Sequence, residues 1–196
     1  HVSSDYVFDG TAELHDEEEA FAPLGVYGQS KAAGDIAVAN CPRHYILRSS
    51  WVIGEGHNFV KTMMMLSNRV ADPGDGLNEV TVVDDQYGRL TFTSDMADAI
   101  FHLLDSGAGY GTYDLTGSGR VESWAGIAKA VFDLTNGNGD RVRPIPTEEY
   151  FANAKDPVSP RPTHSALDLK KIEATGYPAL DWEESLKKYV AKELAE

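Results

Sequence analysis

HVSSDYVFDG (residues 1–10) is the stretch whose reading decides the fold. Val2, Tyr6, Val7 and Phe8 are strand formers and Asp9-Gly10 is a turn signal, so residues 2–8 are expected to form a buried strand that runs into a loop. Ser4 and Asp5 stand near the end of that strand. In a parallel sheet, ligands gather beyond the carboxyl ends of the strands, which makes polar side chains there candidates for a site.

Working outward, PLGVYGQSKAAGDIAVAN (residues 23–40) begins with a proline suited to a helix start and continues with an alanine-rich run, which predicts a helix over about 24–39. HYILRSSWVIG reads as a second strand, and HNFVKTMMMLSNRVA as a helix whose methionines fill core. NEVTVVDDQYG predicts a strand and turn. TSDMADAIFHLLDSG predicts a helix capped by Thr93 or Ser94 and stopped at Gly107. GTYDLTGSG is a further short strand, VESWAGIAKAVFDLTNG a helix capped by Ser123 and stopped near Gly137, and VRPIPTEEY an extended piece. AKDPVSPRPTHS is irregular; a helical LDLKKIEATG and a final amphipathic helix over about 182–195 close the chain. Strands alternating with helices of this length define an α/β fold with a mostly parallel, Rossmann-like sheet.

That sheet is expected to be partial. No G-x-G-x-x-G phosphate loop occurs, and GTYDLTGSGR lacks the third glycine of such a loop. Residues 1–56 are read as the remainder of a nucleotide-binding domain, and residues 57–196 as the remaining strands intertwined with a small C-terminal substrate-binding region.

The 196 residues carry a formal charge of −14, which excludes phosphate-backbone binding, because nucleic-acid binders cluster Lys and Arg. The acidic run Asp16-Glu17-Glu18-Glu19 reads as a solvated loop. No apolar stretch approaches the roughly 20 residues of a membrane span, so no membrane partner is expected. A lone Cys41, read as a small buried hydrophobe, fits a reducing cytoplasm. The six histidines show no metal-ligand spacing.

The sharpest local signal is Tyr27-Gly28-Gln29-Ser30-Lys31. Four residues apart on a helix, Tyr27 and Lys31 share one face. A cation about 4 Å from a phenolate stabilises it by on the order of 4 kcal/mol before desolvation, which suits a tyrosine to proton transfer. Taken alone, the pair is weak and reads far more readily as a solvated tyrosine and lysine on a helix surface. Its company changes that reading: Ser4 at a strand end, then Tyr27 and Lys31, is the ordered set of the short-chain dehydrogenase/reductase superfamily.

The order and spacing of SSDYVFDG, PLGVYGQSKAAGD, LRSSWVIG, NFVKTM, VVDDQYGRLTF, SPRPTHSALD and DWEESLKKYV resemble the dTDP-4-dehydrorhamnose reductases, an extended branch of that superfamily. The resemblance runs through essentially the whole chain and corresponds to the carboxy-terminal two-thirds of such an enzyme. At about 30 residues per βαβ unit, the part before it is roughly 100 residues. The resemblance implies hydride transfer from NADPH or NADH to the C4 keto group of dTDP-4-dehydro-L-rhamnose. Tyr27 would be the acid, Lys31 its partner and a ribose ligand, and Ser4 the group that polarises the carbonyl. Asp5 would contact the sugar and Trp51 would line the substrate pocket; a strand-end cap and a core tryptophan are the plainer readings of these two. Arg161 suits a diphosphate or, equally, anchors its loop to a carboxylate.

Lys61, Arg48 and Arg89 read as structural cations, and Asp84-Asp85, Asp95 and Asp98 as caps or surface carboxylates, although magnesium at a dimer contact is associated with some members of the family. A homodimer is a possible assembly, and the 196-residue chain by itself is expected to be inactive. The alternative is a non-catalytic partner resembling the regulatory β subunit of methionine adenosyltransferase, against which the joint presence of Ser4, Tyr27 and Lys31 argues.

Overall fold

The computed structural model describes residues 1–195. In chain order the elements are β1 (Val2–Ser4), α1 (Val26–Ala39), β2 (Tyr45–Ser49), β3 (Val52–Ile53), α2 (Phe59–Ala71), β4 (Val80–Val83), β5 (Tyr87–Gly88), β6 (Thr91–Phe92) and α3 (Thr93–Asp105). They continue with β7 (Gly111–Asp114), β8 (Glu122–Ser123), α4 (Trp124–Asn136), β9 (Val142–Ile145), α5 (Thr147–Tyr150), α6 (Lys170–Glu173) and α7 (Trp182–Glu193).

The sheet that positions the site is parallel, in the order β1-β2-β7, with Ser4 opposite Ser49 and Arg48 opposite both Ser3 and Asp114. Its strands are buried on both faces, as parallel strands covered by helices require. Parallel pairs β3-β6 and β4-β9 and an antiparallel pair β5-β8 complete the pairing. One apolar core lies among α2, α4 and α7, centred on the fully buried Phe132, Ile127, Leu186 and Trp182; a second joins Leu47, Leu103, Leu115 and Ile172.

Several elements depart from the sequence reading. The first strand stops at Ser4, where the side chain accepts a hydrogen bond from the Tyr6 amide at 3.2 Å and caps a single 3₁₀ turn, Asp5–Val7. A serine hydroxyl competes for backbone donors in this way, and here it ends the ladder despite the strand formers that follow. HYILRSSWVIG is two strands, not one: Trp51 adopts a left-handed backbone (φ 49°), and Thr91 Oγ1 donates to the Ser50 carbonyl at 2.5 Å across the break. Helix α3 has Phe92 at its cap position without a side-chain bond, and Ser94 donates instead to Asp95 at 3.0 Å. The caps expected at Ser123 and Gly137 are present, with Gly137 left-handed at φ 67°.

The acidic run is not merely solvated. Glu17 reaches inward and accepts the Asp114 amide at 2.9 Å, while Arg48 donates to the Glu17 carbonyl at 3.3 Å. Arg48 also pairs with Asp35 at 2.9 Å, both side chains being buried. Cys41 is exposed rather than buried, because it lies in the loop after α1. Of the three methionines, Met63 and Met64 are buried and Met65 faces outward.

Candidate functional site

The site begins where β1 ends. Ser4 caps the 3₁₀ turn there and is nearly buried. Helix α1 lies directly against that turn because its third residue is a glycine: a Cβ on Gly28 would stand 2.1 Å from the Tyr6 carbonyl oxygen. This close approach carries Tyr27 over the turn. Its ring meets the Tyr6 ring edge-to-face at 5.7 Å, while the residue remains more than half exposed (57%). Lys31, one helical turn on, donates from Nζ to the Val2 carbonyl at 2.6 Å and so is held alongside β1. Ser4 thus stands at the carboxyl end of β1, while Tyr27 packs on the turn that follows it and Lys31 reaches back to the strand's first residue.

Asp5 is buried to 3% exposure. Ser4 Oγ donates to Asp5 Oδ1 at 3.1 Å, and Oδ2 has no partner in good hydrogen-bonding geometry, although the Ser165 hydroxyl lies beside the carboxyl. Burial pushes the Asp5 carboxyl up to about 6, with the Ser165 and Ser4 hydroxyls only partly offsetting it. The neighbouring Tyr6 phenol is also raised by burial, and the nearby Arg161 guanidinium works against that shift.

Arg161 comes from the proline-rich loop, which is docked by backbone contacts. The His164 amide donates to the Gly10 carbonyl at 3.2 Å, and Tyr87 exchanges hydrogen bonds with Thr163 and Ser165, each at 2.7 Å. Gly10 permits this in two ways: its φ is +76°, and a Cβ there would stand 2.5 Å from Pro162 Cβ. The loop therefore brings Arg161, beside Tyr6, to a cavity of about 450 Å³ whose walls include Phe59, Met63, Gln86, Trp124, Tyr150 and Phe151. A second cavity of about 210 Å³ shares Gln86, Phe151 and Arg161 with the first.

Trp51 does not appear among the residues lining either cavity; it stacks on Trp124 at 3.8 Å between ring centroids and holds that side chain. Gly88 leaves room for the Trp51 ring, since a Cβ there would be 2.8 Å from it. The positive φ of Trp51 is strain of a kind that clusters at functional sites.

The other charged candidates have structural duties. Lys61 pairs with Glu193 at 2.8 Å and Arg89 donates to the Leu167 carbonyl at 3.3 Å. Asp84 accepts from Ser123 and Asp85 from Thr147, each at 2.5 Å, while Asp95 accepts from Ser94 and Ser185. No group of three or more His, Cys, Asp or Glu side chains able to hold a metal ion occurs among the described residues. No helix among them is long and apolar enough to cross a membrane. Sequence reasoning missed Tyr6, Gln86, Trp124, Phe151 and Ser165. Tyr6 was read as a strand residue, and the others meet the site only through packing between distant segments.

A parallel α/β sheet with polar residues at the end of a strand and a covering helix places the chain in the Rossmann-like class. A UDP-galactose 4-epimerase structure shares that fold at 20% identity with a TM-score of 0.69. The chain belongs to the family described as RmlD substrate binding domain, whose pattern matches residues 1–195. It is 40% identical to dTDP-4-dehydrorhamnose reductase of Sinorhizobium fredii over 203 aligned residues, which cover 97% of this chain and 64% of that protein. Among solved structures, dTDP-4-dehydrorhamnose reductase of Clostridium acetobutylicum is 36% identical with a TM-score of 0.84, covering 97% of this chain and 64% of that one. The enzyme of the same name from Bacillus anthracis, solved in complex with NADP, is 33% identical with a TM-score of 0.82, covering 98% and 64%. The chain therefore spans a little under two thirds of these relatives. They do not favour the regulatory-subunit alternative.

Proposed function

We propose that this chain is the substrate-side portion of a reductase that converts dTDP-4-dehydro-L-rhamnose to dTDP-L-rhamnose. The observation that supports the reading is the Tyr27 ring against Tyr6 in the turn that Ser4 caps, with Lys31 one helical turn along α1. Reduced nicotinamide, NADPH or NADH, supplies the hydride when bound. Lys31 and Tyr27 suit the nicotinamide ribose, being a cation and a hydroxyl on one helix face at the strand end.

The chain's own residues do the rest. Ser4 donates a hydrogen bond to the C4 carbonyl oxygen and draws charge onto it. Tyr27 gives its phenolic proton to that oxygen as hydride reaches C4, so the carbonyl becomes a secondary alcohol. The Lys31 ammonium lies on the same helix face, one turn from the tyrosine that gives up the proton. Arg161, exposed and lining both cavities, grips the diphosphate through its planar fork. Trp124, with Phe59 and Phe151, offers flat apolar surface to the thymine ring, and Trp51 keeps Trp124 in place.

Calorimetric titration of the chain with dTDP tests this cradle without requiring turnover. dTDP is expected to bind, and Arg161→Ala to weaken it by roughly tenfold or more, the worth of a charge-assisted hydrogen bond of about 1.5–3 kcal/mol. Binding of dTDP no tighter than thymidine, or an Arg161→Ala variant equal to the parent, would refute the assignment.

A further inference from the structure

Resting on that reductase reading, we propose that Asp5 is a positioning residue whose protonation decides whether the Ser4 hydroxyl meets the substrate carbonyl as a hydrogen-bond donor or turns away from it. The basis is an accounting of one hydroxyl. Ser4 Oγ has one proton and two lone pairs. The Tyr6 amide takes one lone pair at 3.2 Å, and Asp5 Oδ1 lies 3.1 Å from the same oxygen.

With Asp5 ionised, its oxygen can only accept, so the Ser4 proton points at the carboxylate. What Ser4 then presents to a ligand is a lone pair, which repels a carbonyl oxygen. With Asp5 protonated, the carboxylic acid donates to Ser4 instead. Both lone pairs are then filled, and the Ser4 proton is released toward the ligand. The second arrangement is the one that polarises a carbonyl. It also suits the surroundings, because Asp5 is almost wholly buried and Oδ2 has no well-formed partner, as a buried carboxylate would require. A carboxylic acid kept neutral by an apolar site so that it can donate is established chemistry in other enzymes.

The titratable and charged groups facing the pair come from each neighbouring segment. His15, buried in the segment after the turn and bonded to Glu19 at 2.7 Å, favours the ionised form of Asp5 when it is itself charged. Tyr6 on the turn faces Asp5, with Arg161 from the proline-rich loop and Tyr27 from α1 behind it. Ser165 and Ser4 contribute hydroxyls only. With the Asp5 carboxyl pushed up to about 6, the exchange falls in the range where an enzyme works.

The test is the pH dependence of kcat for NADPH oxidation with dTDP-4-dehydro-L-rhamnose, using the full-length gene product that contains this chain and its Asp5→Asn variant. The carboxamide of Asn donates at every pH. The parent is expected to lose kcat above a one-proton limb near pH 6, by about tenfold per pH unit until the ionised form's own rate is reached, and Asp5→Asn is expected to lack that limb. The same limb in both proteins, or an Asp5→Asn variant that is folded but inactive at every pH, overturns the proposal. A second measurement does not depend on turnover: carbon-13 titration of the Asp5 carboxyl in this chain and in Ser4→Ala. Removing the Ser4 donor should move the Asp5 midpoint upward, and an unmoved midpoint overturns the pairing. If no protein oxidises NADPH while the midpoint moves, the reductase reading fails and the Ser4–Asp5 exchange stands.

Discussion

Replacing Gly28 by alanine probes the contact on which the site's geometry depends. An added Cβ would stand 2.1 Å from the Tyr6 carbonyl oxygen and 2.9 Å from Pro23 Cβ, whereas ordinary contact begins at 3.4 Å. The nearer atom is backbone, so no rotamer change relieves it. Helix α1 and the 3₁₀ turn must instead part by about 1.3 Å. Overpacking of this kind costs about 1–3 kcal/mol, and the helix propensity of alanine returns up to about 1. A net loss of one to two kcal/mol by urea denaturation is the expected outcome. The same displacement carries Tyr27 away from the turn that Ser4 caps, and a shift of about 1 Å at a reacting group lowers turnover by about a hundredfold. Gly34→Ala, in the same helix, is the control, because its Cβ would meet only the tip of the His1 ring at 3.1 Å. Gly34→Ala should be neutral or stabilising. If Gly28→Ala were as stable as Gly34→Ala, the close packing of α1 on the turn would be refuted.

Two further perturbations concern the buried charges. Asp114 is fully buried, and burial together with Glu17 pushes its carboxyl well above the usual range. Its stabilising contribution is therefore fully present below the unfolded value of 3.8 and is lost as pH rises through the folded value, so Asp114→Asn should flatten the rise in stability seen as pH falls from 7 toward 4. Asp5 adds a parallel term of on the order of 3 kcal/mol between 3.8 and about 6, which a fluorescence-monitored urea series across pH would separate by variant. Arg48→Met takes from the buried Asp35 its closer partner and leaves only the His1 ring at 3.3 Å, which should cost about 3–5 kcal/mol, whereas Arg48→Met combined with Asp35→Leu should recover most of it. An equal loss in the double variant would show that the ion pair is not the interaction broken.

What the sequence disclosed and what it hid follow from the range of the interactions. The shared helix of Tyr27 and Lys31 was legible because the helix period is local, and the strand-end position of Ser4 because strand propensity is read from neighbouring residues. The same local rules misread the run after Ser4, since a side-chain cap outcompeted the strand propensity of Tyr6, Val7 and Phe8. They also missed the break at Trp51, which is imposed by its stack on Trp124, a residue 73 positions away, and by the room that Gly88 leaves. The inward turn of Glu17 toward Asp114 lies across 97 residues and leaves no trace in the charge pattern. Ser165 reaches Asp5 only because Gly10 and Tyr87 dock the loop that carries it. Pairing of this range is set by tertiary packing.

The central claim is that Tyr27 delivers the proton in a carbonyl reduction. The measurement that tests it most directly is the rate of NADPH oxidation with dTDP-4-dehydro-L-rhamnose by the full-length gene product and by its Tyr27→Phe variant, which keeps the ring against Tyr6 and removes only the hydroxyl. The account predicts a fall in kcat of about a hundredfold or more, the worth of a positioned general acid, with KM little changed. A variant within a few-fold of the parent would contradict it.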